Sequence, residues 1–453
     1  MEIITVETPS LGDRSYVVAD GGVAAAFDPQ RDVDRLLRVL DERGLRLTHV
    51  FETHVHNDYV TGGLDLARRS GAAYVLSADD EVGFERVGAA DGDEFAVGGV
   101  VVRALHTPGH TPTHLSYVVS SGGRPVAVFT GGSMLYGTVG RTDLISPEAT
   151  EGLTRAQFRS VRRLAGELPA DVSVHPTHGF GSFCASAPAS GSDSSTIDRE
   201  RETNLALTLD DEERFVERLV GGLTAHPRYY AHMAPLNRQG PPPVDLSPPE
   251  PVDPAELRRR IGDGAWVVDV RPRALFARAH LAGTVAVEGS DSFVTYLGWL
   301  LPWGAPVTLV GDTPEEVAEA QRQMARIGID RPAGAASGGV ASWGEGGEVR
   351  SFRSATFEEL AGARSRGDVA VLDVRRDDEW GEGHIDGAQH IPLHDLEARM
   401  GEVPRREVWV HCASGYRASV AASLLERAGH RVVVVDEDWK AASGHDALGV
   451  AAA

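Results

Sequence analysis

At 453 residues with a net charge of −22, the chain is long enough for two to four domains, and it has no basic run longer than Arg258-Arg259-Arg260, which argues against nucleic acid as a partner. No window approaches the roughly 18 consecutive apolar residues of a membrane span, and the start MEIITVETPSLGDRSYVV lacks the basic and apolar regions of a signal peptide, so no membrane partner is expected. Two cysteines, Cys184 and Cys412, are too few for a disulfide framework and fit a reducing, cytoplasmic location.

Up to about residue 240, short apolar strands at 16–18, 23–27, 47–51, 73–76, 100–105, 115–119, 126–130 and 172–175 are interrupted by helical patterns at 33–43, 62–70 and 154–168. This predicts an α/β domain whose sheet layers are covered by helices. The strand 47–51 runs into THVHNDYVTG, residues 53–62. There His54, His56 and Asp58 follow one another at intervals of two residues, so their side chains can converge where strand gives way to loop. Imidazole nitrogens and a carboxylate are what a borderline divalent metal takes, and three such groups within five residues favour a metal site over a merely solvated loop. His110 in TPGHTPTH and His178 in HPTHGFGSFC add candidates at turns after strands, whereas His106 and His114 read as structural histidines. The Ser-rich stretch 184–204 predicts a loop near the site mouth, where Cys184 fits a thiol packed beside Phe183.

Residues 234–254, APLNRQGPPPVDLSPPEPVDP, are proline-dense and predict an extended, semi-rigid domain boundary. Beyond it lies an internal repeat. WVVDVRP at 266–272 matches AVLDVRR at 370–376, and AHLAGTV at 279–285 matches GHIDGAQ at 383–389, both at an offset of 104. Residues 307–328 match 408–429 at an offset of 101, each a strand, a turn and a helix ending at glycine. Two copies of one small α/β domain therefore sit in tandem.

In the second copy an apolar strand ends in HCASGYR, 411–417, and a helix follows at once. Amide groups of such a loop form an anion cradle at a helix N-terminus, and with Arg417 they favour a nucleophilic thiolate at Cys412. Cysteine-dependent phosphatases place five residues between Cys and Arg; here there are four, Ala413, Ser414, Gly415 and Tyr416, a smaller ring that suits sulfur carried on cysteine better than a phosphoryl group.

With LDVR at 372–375 and GHIDGA at 383–388, residues 354–453 resemble a rhodanese sulfurtransferase. The resemblance implies that Cys412 takes a sulfane sulfur as persulfide and passes it to a thiol, that Arg417 and the loop amides bind the anionic donor, and that Asp373 and Arg375 brace the loop. Residues 250–350 carry Gly311 and Glu316 where Cys412 and Arg417 stand, and so resemble an inactive rhodanese serving as spacer or interface. An inactive repeat and an extended linker are compatible with a homo-oligomer.

THVHNDY, PGHT, TGGSMLYGTVGRTDL at 130–144 and HPTHGFGSFC make residues 1–240 resemble the metallo-β-lactamase αββα sandwich, and GRTD and GSFC are most similar to persulfide dioxygenases. A persulfide dioxygenase followed by an inactive and an active rhodanese is a known fusion. The resemblance implies one non-haem Fe(II), O₂, a low-molecular-weight thiol persulfide, and sulfite or thiosulfate as reaction partners, and it opens the alternative of Cys184 as a persulfide relay rather than a packed thiol. Two departures stand out. The wider fold has histidine where this chain has Tyr59, which argues for one metal and leaves Tyr59 and His178 as supports behind the ligands. The family's iron ligands map to His54, His110 and, for the aspartate, Gly132. Three readings stand, in this order: Asp58 or His56 completes a three-ligand site; the domain has lost oxidation and only binds thiol persulfide; or it binds zinc and hydrolyses a thioester as glyoxalase II relatives do.

Overall fold

The computed structural model describes residues 1–186, 192–367 and 369–451. The chain divides into two compact units, Met1–Asp245 with Met324–Gly328, and Leu246–Gln323 with Ile329–Ala453.

The first unit contains two six-stranded sheets. One is β1 (Glu2–Thr8), β2 (Asp13–Asp20), β3 (Val23–Phe27), β4 (Arg46–Phe51), β5 (Ala73–Ser77) and β6 (Val87–Ala89), in that order. The other runs from β7 (Glu94–Val97) through β8 (Val100–His106), β9 (Leu115–Ser121), β10 (Arg124–Gly131) and β11 (Ser173–Pro176) to β12 (Ser195–Thr196). Alternation along each strand sends successive side chains to opposite faces. Thus Tyr16, Val18, Phe27 and Phe51 meet Val102, Tyr117 and Phe129 between the sheets, with the Phe27 and Phe129 rings stacked at 4.0 Å. Val17, Ala24, Ala26 and Val50 face outward onto helices α1 (Asp34–Glu42) and α2 (Gly63–Ser70). Val118, Val128 and Val174 pack beneath α3 (Pro147–Glu167). The result is the expected αββα sandwich, with the loops after β4, β8, β10 and β11 gathered at one edge.

Three local expectations need correction. Helix α3 starts seven residues before the periodic pattern, because Ser146 caps the Ala149 amide and Pro147 suits a first turn. The stretch 184–204 is not a loop throughout: β12 pairs with β11, and Ile197–Thr203 is a helix capped by Thr196 that buries Ile197 in the core. Residues 187–191 of that stretch lie outside the described residues. Residues 234–239, assigned to the linker, instead close the helix Tyr230–Gln239, which accommodates Pro235 and buries Met233, Ala234 and Asn237.

In the second unit the repeat appears as two parallel sheets. The first copy orders Val285–Ala286, Trp266–Asp269, Val307–Val310 and Gly334–Ala336; the second orders Arg353–Ala355, Val432–Val435, Val408–His411, Ala370–Asp373 and Gln389–His390. No helix among the described residues is long and apolar enough to cross a membrane.

Candidate metal centre and cysteine loop

Four buried groups at the loop edge of the first unit each bring three donor atoms within 4.8 Å of one another: His54, His56 and His178; His110, His178 and Cys184; Asp13, Asp58 and His178; and Asp28, Glu52 and His56. The loop after β4 is anchored from both sides. Asp28 accepts hydrogen bonds from the Thr53 amide (2.7 Å) and hydroxyl (2.8 Å). Asn237 accepts from the Thr61 amide and donates to the carbonyls of His56 and Tyr59, each at 2.9 Å.

Within this frame the sequence-nominated residues separate. His56 Nε2 lies 3.2 Å from Glu52, 3.3 Å from Asp28 and 2.9 Å from the Tyr59 hydroxyl. Burial pushes its imidazole down, but Asp28 and Glu52 outweigh burial and lift it to about 9. Burial and the surrounding histidines hold His54 neutral, well below the ordinary histidine range, and burial beside His178 takes His110 down to about 3. His54 and His110 were expected to share one ion; they fall in different groups, joined through His178, which the sequence placed only in support. The Asp58 carboxylate backs His178 Nδ1 at 3.1 Å, with Asp13 at 2.9 Å. Burial and the Asp58 charge push Asp13 up, whereas His178 holds Asp58 below the usual carboxylate range in spite of burial. Both ring nitrogens of His114 have partners, the Thr107 hydroxyl at 3.0 Å and the Gly132 amide at 3.1 Å.

Gly132 leaves no room for a side chain, because a Cβ there would collide with the His110 ring. Sequence reasoning missed Asp13, Asp28, Glu52 and Asn237, which come from separate segments. Only the left-handed backbone of Asp28, φ 48°, marks one of them as unusual, and a sequence does not display it.

The second unit builds a different site. Val408–His411 carries Cys412 into the loop 412–415, and the helix Tyr416–Arg427 begins immediately. Gly415 is required twice over: its φ is 86°, and a Cβ would collide with the Asp436 carboxylate behind the loop. Cys412 is buried at the base of the loop. Arg417 donates to both carboxylate oxygens of Glu379, at 2.5 and 2.7 Å, so its charge is already matched. Asp373 and Arg375 brace the loop only at a remove. Arg375 donates to Asp373 (2.6 Å) and the Gly383 carbonyl (2.7 Å), and its guanidinium lies over Trp439, whose amide donates to the Ala413 carbonyl at 2.8 Å. The first copy contributes the Glu288 carbonyl, which accepts the Tyr416 hydroxyl at 2.9 Å, and Tyr296, whose ring packs on Tyr416.

The corresponding loop of the first copy is closed on itself. Gly311 replaces the cysteine, and the Glu316 carboxylate accepts from the amides of Asp312 (2.8 Å) and Thr313 (3.4 Å). The donors that would hold an anion are taken by the chain's own carboxylate.

A metal-donor cluster at the edge of two layered sheets and a cysteine loop on a parallel sheet define a metallo-β-lactamase-fold domain joined to a rhodanese-like domain. Residues 10–178 match the family profile of the metallo-beta-lactamase superfamily and residues 356–445 that of the rhodanese-like domain. The chain is 31% identical over 209 residues to the human mitochondrial persulfide dioxygenase ETHE1, covering 45% of this chain and 72% of that protein. It is 34% identical over 161 residues to a hydroxyacylglutathione hydrolase of Methylococcus capsulatus, covering 35% of this chain and 58% of that protein. The crystal structure of a metallo-beta-lactamase from Staphylococcus aureus aligns with a TM-score of 0.66 and 28% identity over 74% of this chain and 98% of that one. The chain belongs to the metallo-beta-lactamase superfamily as a homologue of the persulfide dioxygenases that carries a C-terminal rhodanese-like domain.

Proposed function

We propose that the chain joins two sulfur chemistries: O₂-dependent oxidation of a low-molecular-weight thiol persulfide in the N-terminal domain, and sulfane-sulfur transfer through Cys412 in the C-terminal one. The observation that carries this reading is the presence, on one chain, of buried metal donors lacking partners and a cysteine at the base of an amide-lined loop. His110 Nε2 and Asp58 Oδ1 are buried without hydrogen-bond partners, and the neutral imidazoles of His54 and His110 are of the kind a divalent ion takes. One Fe(II) held at His110 and His178, with His54 beside them, is the proposed occupant, with zinc the alternative. Bound iron would supply the chemistry by which RSSH, O₂ and H₂O give RSH and sulfurous acid.

At the second site the Cys412 thiolate attacks the outer sulfur of thiosulfate. The sulfur–sulfur bond breaks, sulfite leaves with the electron pair, and Cys412 holds a persulfide. An acceptor thiolate then takes the outer sulfur as its own persulfide and regenerates the Cys412 thiolate. Because Glu379 engages Arg417, the amides of the loop carry the anion and Arg417 positions the first helical turn. Sulfite from the first reaction is the partner that the second consumes or releases.

Purifying the chain without oxygen and measuring metal content and O₂ uptake on glutathione persulfide tests the first half. About one iron per chain with uptake is the expected result. Metal-free protein that retains thiosulfate turnover would favour the second reading, a non-catalytic module delivering persulfide to Cys412, for which Gly132 is the specific observation. Thioester hydrolysis at zinc ranks third, since Tyr59 replaces a histidine of the wider fold and its hydroxyl is bonded to His56.

A further inference from the structure

We propose that the metal ion of the N-terminal domain is held by His110, His178 and Cys184, the cysteine sulfur standing in for the carboxylate that Gly132 does not supply. This rests on reading the buried cluster as a metal centre, and it names a ligand outside the two-histidine, one-aspartate set that maps to His54, His110 and Gly132.

Three observations converge on it. His110 Nδ1 lies 2.7 Å from the Arg141 carbonyl, so it carries the proton and donates, which turns the lone pair of Nε2 inward. That Nε2 is fully buried and has no partner. His178 is oriented in the same manner, its Nδ1 backed by the carboxylates of Asp13 at 2.9 Å and Asp58 at 3.1 Å, the arrangement that fixes and strengthens a metal-binding imidazole. Cys184 is buried on the loop after β11, its amide held by the Ser182 hydroxyl at 3.2 Å, and its sulfur completes a triangle whose three donor atoms all lie within 4.8 Å of one another. Donors around a tetrahedral ion stand about 3.4–3.8 Å apart, so the triangle needs to contract by no more than roughly 1.5 Å.

Gly132 explains why the cysteine is needed. The space that its side chain would enter is filled by the His110 ring, whose unpartnered Nε2 lies with Cys184 and His178 in one donor group. His54 Nε2, 3.4 Å from His178 Nε2, lies beside the triangle as a fourth donor. Two imidazoles and a thiolate form a softer set than two imidazoles and a carboxylate, and they shift preference toward zinc while still accepting iron or cobalt.

Cobalt(II) tests the assignment without any assay of activity. The full chain carrying Cys412→Ala retains Cys184 as its only cysteine, so a sulfur-to-cobalt charge-transfer band in the near ultraviolet has a single source. The expected result is one cobalt per chain with that band, and a further Cys184→Ser change that removes the band and weakens cobalt binding by about 100-fold or more with unchanged circular dichroism. Should the double variant misfold, X-ray absorption of the cobalt-loaded Cys412→Ala chain decides alone, by one sulfur neighbour at about 2.3 Å. One cobalt per chain bound without sulfur overturns the role of Cys184 and leaves the metal centre standing. No cobalt bound at all overturns both.

Discussion

The two parallel-sheet copies of the second unit are nearly the same scaffold with different loops. In each, an arginine two residues beyond a buried aspartate returns to grip it at 2.6 Å, Arg271 on Asp269 and Arg375 on Asp373, and then reaches a backbone carbonyl eight residues further on. In each, an aromatic ring stacks on a histidine four residues later, Phe276 on His280 and Trp380 on His384. These shared contacts build the fold and say nothing about chemistry. The copies part at the loop: Cys412, Gly415 and the Arg417–Glu379 pair in one, Gly311 and the self-capping Glu316 in the other, with Leu275 where Glu379 would be. Chemistry resides in the few positions that the scaffold does not constrain.

The largest effect that would sharpen this contrast is Cys412→Ala, expected to lower thiosulfate-to-thiol sulfur transfer by at least about 1,000-fold in a steady-state assay; unchanged turnover would refute the assignment. Adding Gly311→Cys to that variant is expected to leave it inactive, since Glu316 occupies the amides. Recovery of transfer would mean that the carboxylate cap is not what silences the first copy.

Asp269→Asn and Asp373→Asn should each cost about 2–4 kcal/mol in urea unfolding, because each leaves a buried arginine unmatched. Similar losses in both copies are expected, and a loss confined to the second would make Asp373 a site residue after all. Gly415→Ala, with its positive φ and the Asp436 carboxylate behind it, should cost about 1–3 kcal/mol and reduce sulfur transfer.

The smallest effect is in acid. Burial pushes the Glu379 carboxyl up, but its hydrogen bonds to Arg417 and the nearby charge of Arg376 outweigh this and hold it below the usual range. A depressed folded-state value stabilises above the unfolded value of about 4.5 and is lost as pH falls through the folded one. Thermal melts of the wild type should therefore show an acid loss below about pH 4.5 that Glu379→Gln lacks.

Where candidate groups are neighbours in the chain, their local arrangement could be read directly. HCASGYR spells out strand end, loop and helix start within seven positions, and THVHNDY brings His54 and His56 into one donor group, while Asp58 pairs with His178 instead. Apolar alternation likewise announced β3 at its observed limits and most of the sandwich, since burial on two faces leaves a local pattern. What the chain order could not reveal is which distant groups meet. Asp13, Asp28 and Asn237 reach the histidine loop from 45, 28 and 179 residues away, counted from Asp58, His56 and Asp58 respectively, and no local periodicity records such encounters. The tertiary structure alone decided that Asp58 faces His178, that His56 is enclosed by Asp28 and Glu52, and that His110 turns toward Cys184 over Gly132. Burial makes these pairings selective, because a charge or a ring nitrogen withdrawn from water must find a partner wherever the fold supplies one.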